Sequence, residues 1–157
     1  MARWFHKLAK NPSDMATFGA ALADFESRAE EFRAFLKINQ GVQIEMKSRD
    51  IAGQFEYMFG TLQDIESILD LYEREANVVY VGKKRGFLEH YNRVLSDKQA
   101  GEFAEVDSDV RAMRALVAEV ANVRNIYVAL SKGFETLHYQ LTNITKLRVV
   151  GLDDATF

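Results

Sequence analysis

The fold is decided by MRALVAEVANVRNIYVALSKGFETLHYQLTNI, residues 113–144, where apolar residues recur at alternating spacings of three and four. This alternation averages 3.5 residues, so it places one apolar stripe along a long helix and predicts left-handed packing against neighbouring helices. The stripe consists of Met113, Leu116, Val120, Val123, Tyr127, Leu130, Phe134, Leu137, Leu141 and Ile144. We expect a helix over 109–148, with the stripe alone spanning about 48 Å at 1.5 Å per residue.

Two earlier stretches carry the same spacing. The first consists of Met15, Phe18, Leu22, Phe25, Ala29, Phe32 and Leu36, and the second of Ile51, Phe55, Met58, Leu62, Ile65, Leu69 and Tyr72. They predict long helices over 13–39 and 42–80. The phenylalanines of the first stripe are too bulky for a tight two-stranded coil and favour a wider bundle. The predicted fold is therefore all-α, with long antiparallel helices, heptad seams and a short connector around 82–108.

Local signals place the helix ends. Ser13 or Asp14 is the expected N-cap of the first long helix, and Gly41 is placed to end it. The β-branched run at 78–81 indicates either a short strand or the end of the second helix. A short helix over 87–95 and a polar connector with one helical turn follow.

Length and composition favour one soluble helical domain over 1–157, made of an arm (1–12), the three long helices and a tail (149–157). The 157 residues include no cysteine, which excludes disulfides and thiolate chemistry. No continuous apolar run is long enough to span a membrane, and the N-terminus lacks the apolar core of a signal peptide. We expect a cytoplasmic protein, in the host cell if the chain is phage-encoded.

The net charge of −3 is unevenly distributed. Residues 14–75 hold 13 acidic and 6 basic side chains, whereas 83–98 hold five basic and two acidic ones. Charges act mainly within a Debye length of about 8–10 Å, so a local basic region can bind an anion although the whole chain is acidic.

No catalytic signature is present. His6, His90 and His138 are widely separated, and none forms a Glu-x-x-His pair with the glutamates of the first helix. The spacing Gly82-x-x-x-Gly86 lacks the Gly-Lys-Ser/Thr ending of a phosphate loop. We expect no catalytic residue, metal, cofactor or small-molecule substrate, and hence no enzyme.

The most suggestive feature for binding is a run that interleaves cations with aromatic rings. Single-stranded nucleic acid is bound by this combination, because rings stack on bases while cations neutralise phosphates. The alternative is that the rings at 87 and 91, four residues apart, anchor a short helix in the core and the cations are merely solvated. The candidate nucleic-acid-binding residues, called the basic-aromatic strip below, are Lys83, Lys84, Arg85, Phe87, Tyr91 and Arg93.

The arm has a similar ambiguity. It holds Trp4 and Phe5 among the cations Arg3, Lys7 and Lys10. It is equally suited to nucleic acid, a membrane surface or the groove of another subunit.

The unequal lengths of the three helices predict self-association. The last helix is longer than the first, so part of its stripe would need cover from another copy of the chain. The alternative is a monomeric bundle that buries every stripe internally. The residues expected at the subunit interface are Leu130, Phe134, Leu137, Leu141 and Ile144.

Residues 74–151 resemble a known family. The order is Tyr80-Val81-Gly82-Lys83, the acidic Val106-Asp107-Ser108-Asp109, a long helix with Ser131-Lys132-Gly133-Phe134, and an ending with Asn143-Ile144-Thr145-Lys146-Leu147-Arg148 and Gly151. This resembles the UvsY-type recombination mediators of tailed bacteriophages. The resemblance implies a homo-oligomer that binds single-stranded DNA and helps to load a recombinase in recombination and DNA repair, with Lys83, Lys84 and Arg85 as DNA contacts.

Two functions follow as expectations. The first is an oligomeric helical protein that binds single-stranded DNA and protein partners, as a recombination mediator does. The alternative is a structural or adaptor protein of a phage virion or another assembly, which acts only through protein–protein contacts.

Overall fold

The structure, a computed structural model, describes residues 3–37 and 44–149, with side chains from Phe5 onward. Five α-helices and no strand occur in these ranges, which confirms the all-α class. The helices are α1 (Arg3–Lys10), α2 (Met15–Leu36), α3 (Ile44–His90), α4 (Asp97–Val106) and α5 (Ser108–Val149). The predicted C-cap at Gly41 and the tail from residue 150 onward lie outside the described residues.

The heptad stripes form the core, as the sequence predicts. Phe18 and Phe25 of α2, Met58 of α3, and Tyr127 and Phe134 of α5 are almost fully buried. The start of α2 also follows the prediction, with Asp14 as the N-cap. Its carboxylate accepts the backbone N–H of Thr17 at 3.1 Å and the Thr17 hydroxyl at 2.7 Å, and these hydrogen bonds lower the pKa of Asp14.

The sequence predicted one domain, and the contacts group into two compact units to which α2, α3 and α5 each contribute. Unit 1 comprises Met1–Ala23 and Asp64–Arg124, and unit 2 comprises Asp24–Gln63 and Asn125–Phe157.

In unit 2, α2 and α5 run parallel and α3 runs antiparallel to both. Phe32 on α2 packs against Phe134 on α5 with ring centroids 6.0 Å apart, and against Tyr57 on α3 at 5.5 Å. Phe55 on α3 meets the same Phe134 at 5.9 Å. Tyr127 donates its hydroxyl hydrogen to the carbonyl of Phe25 over 2.8 Å. Aromatic side chains from all three helices therefore close this core, as the phenylalanine-rich stripe predicts.

In unit 1, α3 and α5 run antiparallel, and α1 and the start of α2 pack against them. Tyr72 on α3 lies 4.9 Å from Phe18 on α2, measured between ring centroids, and donates to the carbonyl of Pro12 over 2.9 Å. Leu8 of α1 is fully buried, so this residue of the arm contributes to the core of this unit. The polar side chains His6, Lys7 and Lys10 are exposed.

The structure corrects the position of the connector. Residues 78–81 are neither a strand nor a helix end, because α3 continues without a break to His90. Gly82 and Gly86 each cost roughly 1 kcal/mol in a helix interior relative to alanine. Contacts with α4 and α5 hold this end of α3 in place. The connector is thus reduced to 91–96, followed by α4 rather than a single turn.

Candidate nucleic-acid interface

The basic-aromatic strip lies at the C-terminal end of α3 in unit 1. Lys83, Lys84, Arg85 and Phe87 occupy its last two turns, and Tyr91 follows at once after His90. Consecutive helical residues point in different directions, so these side chains do not form one row. Arg93, in the connector, is exposed.

Lys83 is paired with two aspartates that flank the junction between α4 and α5. Its Nζ lies 3.2 Å from Oδ1 of Asp107 and 2.5 Å from Oδ2 of Asp109. Hydrogen bonds to Asp109 and then Asp107 raise the pKa of Lys83. Asp107 also accepts the backbone N–H of Asp109 at 2.9 Å, and this bond is the main cause of the lowered pKa of Asp107. Asp107 therefore both caps α5 and holds Lys83.

The next two cations also hold acidic partners. Nζ of Lys84 lies 2.8 Å from the carboxylate of Asp97, the first residue of α4, and this hydrogen bond raises the pKa of Lys84. Arg85 pairs with Glu89 one turn later in α3 at 2.7 Å. Glu89 and Asp97 are already counted in the charge of residues 83–98, and Asp107 and Asp109, which the fold brings alongside, reduce that charge from +3 to +1.

The rings of the strip meet a third ring that the sequence analysis did not single out. Phe103 of α4 lies 5.3 Å from Tyr91, with the ring planes inclined at 29°, and 5.7 Å from Phe87. Tyr91 remains exposed, whereas Phe87 and Phe103 are half-buried. The three rings form a cluster in unit 1 in which Tyr91 and Phe103 are stacked and Phe87 meets Tyr91 edge to face.

α4 is a short helix with a small contact surface on α3. Ser96 and Gln99 form a capping box at its start, in which the Ser96 hydroxyl accepts the N–H of Gln99 and the Gln99 side chain accepts the N–H of Ser96. The buried residues of α4 are all small: Ala100, Gly101 and Ala104. A Cβ at Gly101 would lie only 3.2 Å from the hydroxyl oxygen of Tyr80, so glycine permits the close approach of α4 to α3.

The predicted subunit-interface residues lie elsewhere. Leu130, Phe134, Leu137 and Leu141 are buried inside the single chain, and Ile144 is partly buried. The structure therefore corrects this assignment, because the stripe already has its cover within the chain. Self-association stays a prediction, and it would need another surface.

In unit 2 a groove with a volume of about 380 Å³ lies between α3 and α5. Its walls are mainly apolar, including Phe55, Phe134 and Tyr139, and His138 and Glu135 are the ionisable groups among its lining residues.

Across the described ranges, no three His, Asp or Glu side chains are grouped so that they could hold a metal ion. Nor does any helix in those ranges have the length and apolar character needed to cross a bilayer.

Fold and site together define an all-α protein with a cluster of cations and rings in which Lys83, Lys84 and Arg85 are paired with acids of the same chain. Comparison with family models, curated proteins and solved structures finds no match to this chain.

Proposed function

We propose that this chain is a non-enzymatic helical protein that binds single-stranded DNA through the end of α3, in the manner of the phage recombination mediators that residues 74–151 resemble. The observation that carries the proposal is the grouping of Lys83 and Lys84 with the rings of Phe87 and Tyr91, whose centroids lie 6.2 Å apart, at the end of α3 in unit 1. Self-association and contact with a recombinase belong to the same proposal.

The ion pairs of the strip do not prevent binding. The side chains of Lys83 and Lys84 keep about a third of their surface exposed, and that of Asp97 keeps most of it. Exposed ion pairs are among the weakest interactions in proteins, since water and salt screen them. A polyanion that supplies several phosphates at once is able to replace such partners, because each contact releases counterions from the strand.

Replacing Lys83, Lys84 and Arg85 together by glutamine should weaken binding of a fluorescently labelled oligothymidylate at least tenfold and make it less sensitive to salt. Three lost phosphate contacts reduce the slope of log affinity against log salt by roughly 2 for a single strand. Fluorescence anisotropy at two salt concentrations measures both quantities. Glutamine is preferable to glutamate here, since a reversed charge would be placed beside Asp97 and Asp107.

The matched control replaces Arg49, Lys132 and Lys146 by glutamine. These residues are exposed and the change in net charge is the same. An equal loss of affinity in both variants would show that strand binding depends only on the net charge of the protein and not on this site. Absence of binding at low salt, even when the carboxylates that pair with Lys83 and Lys84 are replaced by amides, would remove the proposal.

The second candidate function is that of a structural or adaptor protein that works through protein contacts alone. It is favoured by the internal pairing of Lys83, Lys84 and Arg85, which leaves little net charge for phosphates. Apolar side chains also remain exposed along one face of α3, at Val78, Val81 and Leu88. This function predicts no strand binding and a mass in light scattering that rises with protein concentration.

A further inference from the structure

We propose that α4, together with the aspartates at and beyond its two ends, is an internal substitute for a nucleic-acid strand. This substitute occupies the basic-aromatic strip until a nucleic-acid strand displaces it. This regulatory role rests on the proposed function. Residues 97–109 are called the acidic segment below.

The acidic segment places carboxylates where phosphates would be needed. Asp97 lies against Lys84 at one end of the segment, and Asp107 and Asp109 lie against Lys83 at the other. A carboxylate and a phosphate offer a lysine the same kind of charged oxygen acceptor. Both lysines are thus held by acids of one segment, much as they would be held by successive phosphates of one strand.

The same segment also supplies a ring. Phe103 stacks on Tyr91 at 5.3 Å and approaches Phe87 at 5.7 Å, which are separations typical of aromatic pairs. Bound nucleobases use the faces of such rings in proteins that bind single strands. Phe103 therefore occupies a face of Tyr91 that a base would need. Charge and stacking are both satisfied by a contiguous piece of the chain, which is the reason for treating it as one substitute.

The attachment of the acidic segment is weak enough for exchange. α4 has only ten residues, and helices shorter than about 12–15 residues are marginal without tertiary contacts. Its buried residues are small, a single extended residue, Asp107, joins it to α5, and the ion pair that also links the two helices, between Glu105 and Arg114, is exposed. On its other side lies the non-helical connector 91–96. Rotation of α4 about these two joints would free Lys84 and Tyr91, whereas Lys83 would still face Asp109, which belongs to α5.

The decisive variant replaces Asp97, Asp107 and Asp109 by asparagine. Asparagine keeps the side-chain shape and, at position 107, caps α5 as well as aspartate does. The capping box of Ser96 and Gln99 at the start of α4 is untouched, so both helices keep their starts while the competing charges are removed. We expect affinity for labelled oligothymidylate to rise roughly tenfold at low salt, because the strand no longer displaces carboxylates. The slope of log affinity against log salt should steepen slightly, because the strand is no longer repelled by neighbouring carboxylates whose effect salt screens.

A matched control replaces Glu26, Glu56 and Glu73 by glutamine, which changes the net charge equally at exposed sites away from the strip.

A second variant, Phe103→Ala, leaves every charge in place and uncovers Tyr91. It should raise affinity several-fold with an unchanged salt slope, because base stacking on aromatic side chains contributes to strand binding without ionic exchange. Circular dichroism checks that each variant keeps its helices.

The outcomes separate the two proposals. Tighter binding by the asparagine variant than by the glutamine control supports the substitute role. Strand binding by the unaltered chain that both triple variants change equally overturns the substitute role and leaves the proposed function intact. Absence of strand binding by all of these proteins, including the asparagine variant, removes the proposed function and the substitute role with it.

Discussion

Replacing Phe134 by alanine is expected to lower the free energy of unfolding by about 4 kcal/mol, the range for a large aromatic side chain in a packed core. Phe134 is 1 % exposed and contacts rings on both neighbouring helices of unit 2: Phe32 and Phe35 on α2, and Phe55 on α3. Its loss leaves a cavity that these rings cannot refill without moving the helices. Urea unfolding followed by circular dichroism measures the change.

Phe59→Ala is the matched control. Phe59 stacks on Phe55 at 6.2 Å, but 45 % of its surface is exposed, so its truncation should cost no more than about 1 kcal/mol. A cost for Phe134 no larger than that for Phe59 would contradict the description of the unit 2 core. Because the stripe residue Phe134 was also a candidate for a subunit interface, a stability loss independent of protein concentration would further support its intrachain role.

The long helices could be predicted from the sequence because their signal is local. Each stripe is a run of apolar residues at heptad spacing, and burial of that stripe is needed whatever the partner helix. Val120, Tyr127 and Phe134 were therefore identified as stripe residues that need cover without knowledge of the topology, and all three are buried. What the spacing could not supply is which helix covers which stripe, and this is why Phe134 was assigned to a second copy of the chain.

The candidate site was predictable only in part, for the same physical reason. The cations and rings at the end of α3 are visible in the sequence, but their partners are not. Asp97 and Asp107 are 13 and 24 residues away from Lys84 and Lys83, and surface charges show no periodicity that would pair them. Phe103 was overlooked because it is a lone aromatic residue in a polar segment.

The course of α3 beyond residue 80 shows how tertiary contacts outweigh local preference. A β-branched run followed by two glycines indicates a strand or a helix end, yet Tyr80 and Lys83 lie on continuous helix. Gly101 of α4 approaches Tyr80, and the α5 start holds Lys83. These contacts compensate for the low helix propensity of residues 78–86.

Raising the pH from about 10 to 12 is expected to destabilise the protein partly through its buried tyrosines. Tyr72 is fully buried, and burial raises its pKa from 10.0 to about 12, with the charge of Asp14 adding to the effect. The unfolded chain loses the phenolic proton near pH 10, whereas the folded chain retains it. Since the unfolded state then binds fewer protons, stability is complete below pH 10 and falls as pH rises towards 12, by at most about 3 kcal/mol from Tyr72. Burial raises the pKa of Tyr127 as well, which adds a loss of the same sign.

Tyr72→Phe tests this assignment. The variant loses the hydrogen bond to the Pro12 carbonyl, so it should be about 1 kcal/mol less stable than the unaltered chain at pH 8. It also lacks the titrating phenol, so its free energy of unfolding should fall less steeply between pH 10 and 12, and the two curves should converge or cross. Tyr139→Phe, at a site that is 70 % exposed, should retain the steep fall of the unaltered chain. The lysines are common to all three proteins, so their titration cancels in the comparison. Parallel curves for Tyr72→Phe and the unaltered chain would show that Tyr72 ionises equally in both states and is not held in the core of unit 1.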